Sequence, residues 1–412
     1  MTQITLPLDI ESLEITSQSI DSAGNIILEV QSKRTLTLCH KCGKPATIRH
    51  GYGPYIKVQH LPILDTPVYL HIKSVRYQCT HCDDHPTTTE QYDWCDRGSK
   101  ISKGLEKYLL RSLIHSTIQD VSRKERIGYK ALTSMVDRQI SSTVNWEEYD
   151  SLPTIGIDEI SMKKGHRSFV TVVSARMKSG HLSVLAVLPD REKETVKAFF
   201  DSIPQELKQS VETVCTDMYD GFVNAAIECF GSQAVVVDRY HVAKLYRAPL
   251  DKLRIQEMSR LKSELDPEEY DNLEGMMWIL RTQHECLSEA AKLKLRVLYK
   301  HSPKLKKAHS YALKLTHIFN TKCSRKLASA KLERWVRKIE KSDIRCFDRF
   351  LKTLEKYKSS ILNYFKNRRN SGFVEGLNNK IKVIKRRCYG FFKTQSLFQR
   401  LYLDLKGFDM FA

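Results

Sequence analysis

Two CxxC pairs constrain this chain more than any other feature. "LCHKCGK" carries Cys39 and Cys42, and "YQCTHCDD" carries Cys79 and Cys82. A CxxC knuckle bends the backbone so that both thiolates face one point. Two knuckles joined by strand-like sequence therefore converge four sulfurs on one tetrahedral ion. The spacing predicts a zinc-ribbon β domain over residues 1–97, holding a structural Zn²⁺. His40, His81 and Cys95 are the nearest alternative ligands, but four thiolates already complete the shell and leave no position open for catalysis. Eleven cysteines in 412 residues are too sparse for a disulfide scaffold. The opening "MTQITLPLDIESLEI" lacks the basic-then-apolar order of a signal peptide. No run of about 18 apolar residues exists to span a membrane. The expected location is cytoplasmic, in association with the nucleoid.

The formal charge is +19, from 67 Lys and Arg against 48 Asp and Glu. Such an excess favours a polyanionic partner, with nucleic acid first and an anionic membrane surface second. Residues 98–147 read as helices. Within them "LIHSTIQDVSRKERIGYKALTSMVDRQI" has the form helix, tight turn, helix, with Gly128 at the turn. On its second helix Lys130, Thr133, Ser134 and Arg138 are expected to point outward, toward a DNA major groove. The bland alternative is an ordinary helical hairpin.

From residue 148 to 243 the pattern alternates. "TIGIDEIS" is a strand, "RSFVTVVSARMKSGHLSVLAVLPD" two strands and a turn, "REKETVKAFFDSIP" an amphipathic helix. The strand "ETVCTD", the helix "GFVNAAIECF" and the strand "QAVVVDRYHV" follow. The order β-β-β-α-β-α-β-α predicts an RNase-H-like mixed five-stranded sheet, with the first and fourth strands side by side. Asp217 alone reads as a solvated loop acid or helix cap. In this topology it becomes a neighbour of Asp158, at the strand ends where open α/β sheets bind ligands. Glu159 alternates to the opposite face and reads as structural.

Residues 244–365 are charged, helical and strand-poor, with Trp278 and Trp335 expected in their core. Residues 366–412 begin with a basic run. In "NRRNSGFVEGLNNKIKVIKRRCYGF", Leu377, Ile381, Ile384 and Cys388 mark one buried face. Glu375, Asn378, Asn379, Lys382 and Arg386 are expected on another. One Glu stands among nine Lys and Arg between Lys366 and Lys393. A metal-binding carboxylate beside phosphate-gripping cations explains that arrangement better than a solvated ion pair. Three carboxylates suit a pair of Mg²⁺ ions, which prefer hard oxygen ligands.

With "GIDE", "TDMY", "VVDRYHV" and "GFVEGLNNKIKVIKR" behind the paired knuckles and the helix-turn-helix, nearly the whole chain resembles the ISL3 family of insertion-sequence transposases. The resemblance implies a multidomain α/β protein, its RNase-H-like core interrupted by an all-α insertion. It implies a DDE transposase that cleaves and joins double-stranded DNA with Mg²⁺ or Mn²⁺. Asp158, Asp217 and Glu375 carry over as the three acids. "DRYH" adds Asp238 and His241 as supports of the site or as a structural pair. Asp238 competes with Asp217 for the second acid; the strand order favours Asp217. Lys382, Lys385, Arg386 and Arg387, with Asn378 and Asn379, are the expected DNA contacts of the last segment. Pairing of two transposon ends implies a homodimer or larger assembly. The rival readings are an RNase-H-fold nuclease or resolvase without strand transfer, a retired DNA-binding regulator, and a zinc-ribbon transcription or RNA-processing factor.

Overall fold

A computed structural model describes residues 8–162, 169–369, 372–391 and 393–411. They form two compact units, Met1–Ile140 with Leu403–Ala412, and Ser141–Tyr402. In the first unit, β1 (Leu13–Ile20), β2 (Ile26–Ser32), β5 (Ile48–Ile63) and β6 (Thr66–Gln78) form a sheet ordered β1-β2-β6-β5, with β7 (Thr87–Thr89) paired to β6. Period-two alternation turns Leu28, Val30, Val58, Leu70 and Ile72 into its core. The two-residue strands β3 (Thr37–Leu38) and β4 (Pro45–Ala46) make a separate small ribbon that brackets the first knuckle.

Three helices follow: α1 (Lys103–Leu113), α2 (Ile118–Lys124) and α3 (Tyr129–Gln139). Ser102 and Thr117 cap the first two, accepting from the amides of Leu105 at 3.2 Å and Asp120 at 3.0 Å. Leu109, Leu113, Val121, Leu132 and Met135 are buried. The sharp turn between α2 and α3 differs from expectation in one detail. Gly128 has an ordinary φ of −60° and caps α3, while Arg126 takes the left-handed conformation at φ 55°. A Cβ on Gly128 would meet no atom within 4 Å, so the turn does not depend on glycine there.

The second unit holds the expected core. Its strands are β8 (Thr154–Ser161), β9 (Phe169–Arg176), β10 (Leu182–Leu188), β11 (Thr213–Thr216) and β12 (Val235–Val237). They are ordered β10-β9-β8-β11-β12; β8, β11 and β12 run parallel and the other neighbours antiparallel. α4 (Lys193–Asp201) and α5 (Gln205–Gln209) precede β11, and α6 (Asp220–Phe230) links it to β12. Parallel strands covered on both faces read as unbroken apolar runs; Thr213–Thr216 and Val235–Val237 are buried throughout.

After β12 the chain is helical: α7 (Arg239–Glu264), α8 (Pro267–Asp271), α9 (Met276–Ile279), α10 (Glu289–His301), α11 (Pro303–Asn320), α12 (Arg325–Glu340), α13 (Asp348–Lys356) and α14 (Lys358–Asn367). α14 returns to the sheet, where the Asn363 amide donates to the carbonyls of Ser232 and Val235, both at 2.8 Å. Trp335 is buried in the helical core as expected, its indole N–H donating to the Tyr311 carbonyl at 2.9 Å. Trp278 is not a core residue. It stands 66% exposed, because the single-turn α9 buries Met276 instead. The last helices are α15 (Gly372–Arg387) and α16 (Thr394–Phe411).

Candidate active site

The register of the parallel strands aligns three carboxylates. Cys215 on β11 pairs with Gly156 on β8, and Thr216 with Val237 on β12. Asp158 and Asp217 each lie two residues beyond the Gly156–Cys215 pair. Asp217 and Asp238 each lie one beyond Thr216–Val237. All three therefore reach the same level on neighbouring strands about 4.8 Å apart: Asp217 and Asp238 follow the last residues of β11 and β12, while Asp158 lies within β8, which runs three residues further. This is the edge where open α/β sheets gather ligands.

Each acid has its own surroundings. Asp158 accepts the Glu159 amide at 2.8 Å and the side-chain amide of Asn378. Asp217 accepts only the Tyr219 amide, at 3.0 Å, among the described residues. Asp238 caps α7 through the Tyr240 amide at 2.8 Å and accepts from His241 Nδ1 at 3.0 Å. Burial pushes Asp158 and Asp217 above the usual carboxylate range, and each is raised further by a neighbouring acid, Asp238 and Asp158 respectively. The hydrogen bond to Asp238 holds His241 above the usual histidine range, with help from the charges of Asp217 and Asp158. The His241 ring thus sits beside three carboxyl groups. Such a set of hard oxygens suits a divalent cation.

Glu375 comes from α15, and a glycine sets how close that helix lies. A Cβ on Gly156 would stand 2.4 Å from Val374 and 2.8 Å from the Phe373 ring. Only a bare α-carbon lets α15 lie this near to β8. Glu375 is exposed, one helical turn before Asn378. Asn378 corrects the facial assignment: it is buried against Asp158, and its own Oδ1 lacks a hydrogen-bond partner. Lys385 also turns inward, donating to the Ser161 carbonyl. The cause lies in the helical period, since Val374, Asn378, Ile381 and Lys385 form one stripe. Asn379, Lys382 and Arg386 are exposed, and Arg387 is half-buried.

Sequence reasoning missed the braces around these acids. Glu159 pairs with Arg191 at 3.0 Å, whose guanidinium also lies 4.9 Å from the Tyr219 ring. The Tyr357 hydroxyl lies 3.0 Å from the Met218 carbonyl and 2.6 Å from Asp220, clasping the loop after Asp217. Arg369 reaches Pro153, Thr154 and Thr213 at the opposite ends of β8 and β11. Its place in the basic run "KNRR" gave no hint of a structural task.

In the first unit the four predicted cysteine ligands come together. Their sulfurs all lie within 4.8 Å of one another, with separations of 4.0 Å for Cys39–Cys82, 3.7 Å for Cys42–Cys79 and 3.8 Å for Cys79–Cys82. A tetrahedron with Zn–S bonds of about 2.3 Å has edges of about 3.8 Å, so the quartet fits zinc. His40 and Cys95 are engaged elsewhere, with Thr88 at 2.9 Å and with nearby carbonyls such as Ile101 at 3.6 Å. Among the described residues no other cluster of His, Cys, Asp or Glu meets the same closeness; Asp158, Asp217 and Glu375 are not drawn together to that degree. On α3, Lys130 and Ser134 are exposed and Thr133 is half-buried. Arg138 is held by the buried Glu106 at 2.9 Å.

The sheet order, with a helical array entering after the fifth strand, defines an RNase-H-like core. The chain belongs to the ISL3 family of DDE transposases: that family, described as "Transposase", matches residues 155–401. A second match, the zinc-finger of transposase IS204/IS1001/IS1096/IS1165, covers residues 35–82. The chain is thus a member of an enzyme family. It is 25% identical to the transposase for insertion sequence element IS1001 of Bordetella parapertussis, over 94% of this chain and 93% of that one. It is 23% identical to the transposase for IS1557 of Mycobacterium tuberculosis, over 97% and 92%. Among solved structures, the Drosophila P element transposase strand transfer complex aligns with a TM-score of 0.40 and 12% identity, over 74% of this chain and 92% of that one. No described helix is long and apolar enough to cross a membrane.

Proposed function

We propose that this protein binds the inverted-repeat ends of an insertion sequence and catalyses DNA cleavage and strand transfer. One observation carries the reading. Asp158 on β8 and Asp217 at the end of β11 lie level on adjacent parallel strands, and α15 lies against β8 through Gly156, with Glu375 one turn from the residue that touches Asp158. Asp158, Asp217 and Glu375 would hold two Mg²⁺ or Mn²⁺ ions. Bound there, such ions supply an activated water or 3′-hydroxyl and stabilise the leaving oxygen. Asn378 holds Asp158 by its amide and favours its ionised form. His241, protonated at Nδ1 against Asp238, offsets the negative charge of the group. Asp238 already caps α7 and binds His241, which supports Asp217 as the second acid.

The regions divide the work. Residues 1–97, with Zn²⁺ on Cys39, Cys42, Cys79 and Cys82, and residues 98–147 recognise the ends, with Lys130, Thr133 and Ser134 toward the bases. Residues 148–243 and 366–402 make the catalytic core around the insertion 244–365. Lys382 and Arg386, with Asn379, are free to meet phosphates. Pairing of two ends requires a dimer or larger assembly. The test is plasmid excision with a matched donor, comparing wild type with Asp158→Ala, Asp217→Ala, Asp238→Ala and Glu375→Ala. Loss of at least about a thousandfold is expected for Asp158, Asp217 and Glu375 with end binding intact. A fully active Glu375→Ala would remove the third acid from the scheme, and joined products absent from precut ends would favour a nuclease.

A further inference from the structure

The helical insertion contains a groove that the acids and the helix-turn-helix do not account for. It lies between α11 and α12 and encloses about 760 Å³. Lys314 and Asn320 line it from α11; Lys331, Arg334, Trp335 and Lys338 line it from α12. Lys331, Arg334 and Lys338 follow at helical spacing, so their Cα atoms span about 10 Å along one stripe of α12. That span corresponds to about three base-pair steps measured along the axis of a DNA duplex.

Charge sets this groove apart from the surface around it. Lysines nearby are neutralised: Lys307 by Asp343 and Lys358 by Glu333. Glu333 lies within the Lys331–Lys338 segment yet is spent on Lys358 at 2.8 Å. Lys314, Lys331, Arg334 and Lys338 make no ion pair among the described residues, and Glu285 is the single acid lining the groove. Four uncompensated cations around a partly apolar floor repel one another unless a polyanion enters. One end of the groove also connects to the acids. Asn320 accepts from the guanidinium of Arg239, the residue that follows Asp238 and opens α7.

We infer that the groove between α11 and α12 binds the sugar-phosphate backbone of DNA and leads it toward the sheet edge where Asp158, Asp217 and Asp238 lie level. This rests on the transposase reading and adds to it a second DNA-binding surface, in the insertion. Arg334→Glu with Lys338→Glu in the full chain tests it, since both side chains are exposed and circular dichroism will verify the fold. Lys252→Glu with Lys262→Glu, two exposed lysines of α7, is the charge-matched control. The probe is a fluorescein-labelled duplex of random sequence, titrated by anisotropy across a salt series. The groove variant is expected to bind at least about tenfold more weakly. Its slope of log K against log salt is expected to be shallower by about two. Equal losses in groove and control variants, or an unchanged slope, overturn the proposal and turn attention to an acidic protein partner. Asp158→Ala separates the two readings. If it abolishes excision while the groove variant binds and excises normally, only the groove fails. If Asp158→Ala excises normally, the transposase chemistry fails whatever the groove does.

Discussion

The two candidate metal centres are built in opposite ways. The cysteine quartet is the more local: two short knuckles about 40 residues apart bring four soft ligands to tetrahedral spacing within one unit. The acid group is assembled from β8, β11, β12 and a helix that arrives more than a hundred residues later. Its sulfur counterpart satisfies close geometry, whereas the carboxylates remain spread, and Asp158 and Asp217 are raised in pKa by burial and neighbouring charge. Structural sites need their ligands fixed to hold a fold together. Catalytic sites at phosphorus need oxygens that an ion and a substrate draw in together. Ligand spacing therefore separates a centre suited to holding a fold from one suited to the ion-and-substrate chemistry proposed for it.

The sharpest way to break this comparison is to attack the local centre. Cys79→Ser should lose tightly bound zinc by atomic absorption and render the first unit protease-sensitive, because structural zinc contributes about 10 kcal/mol or more in small zinc domains. The second unit should keep its protection. Proteolytic patterns identical to wild type would show that the quartet is not a structural centre.

A smaller effect probes the distributed centre through its backbone. Gly156→Ala should force Val374 and Phe373 away from β8, cost about 1–3 kcal/mol by overpacking, and lower excision more than end binding. An alanine variant with wild-type melting and excision would mean that the approach of α15 does not set the site.

The smallest effect concerns charge alone. Asp217→Asn in metal-free protein should raise the melting temperature at neutral pH by a few degrees, equivalent to about 1 kcal/mol, while abolishing excision. The sign follows from linkage. A carboxylate whose folded pKa lies above its unfolded value stabilises the fold at low pH, and that stabilisation is lost as pH rises through the folded value. The gain from Asn should therefore vanish below the ordinary carboxylate range. A gain that persists there would assign it to packing.

Much of this was legible in the chain, for physical reasons. Strand order followed from alternation and turn residues, and the CxxC spacing dictates its own geometry. Local rules could not say what long side chains reach. Arg138 reads as a groove contact, yet Glu106 from another helix claims it. Asn378 and Lys385 read as DNA contacts but lie on the stripe facing β8, which counting from Leu377 alone obscures. Trp278 has the size of a core residue, but a four-residue helix offers nothing to bury it. Gly156 sits in the unremarkable run "TIGIDE", and its purpose appears only once α15 lies across it.

That contact has a consequence for biosynthesis. A ribosome making this chain finishes all five strands and the whole helical array before it adds residue 372, so the hollow above Gly156 stays uncovered until nearly the end. At roughly 5–20 residues per second, nascent chains spend many seconds with the sheet complete and Glu375 still unmade. On the proposed scheme, truncated or stalled copies would hold the aligned aspartates without their third partner, leaving any DNA they meet uncut.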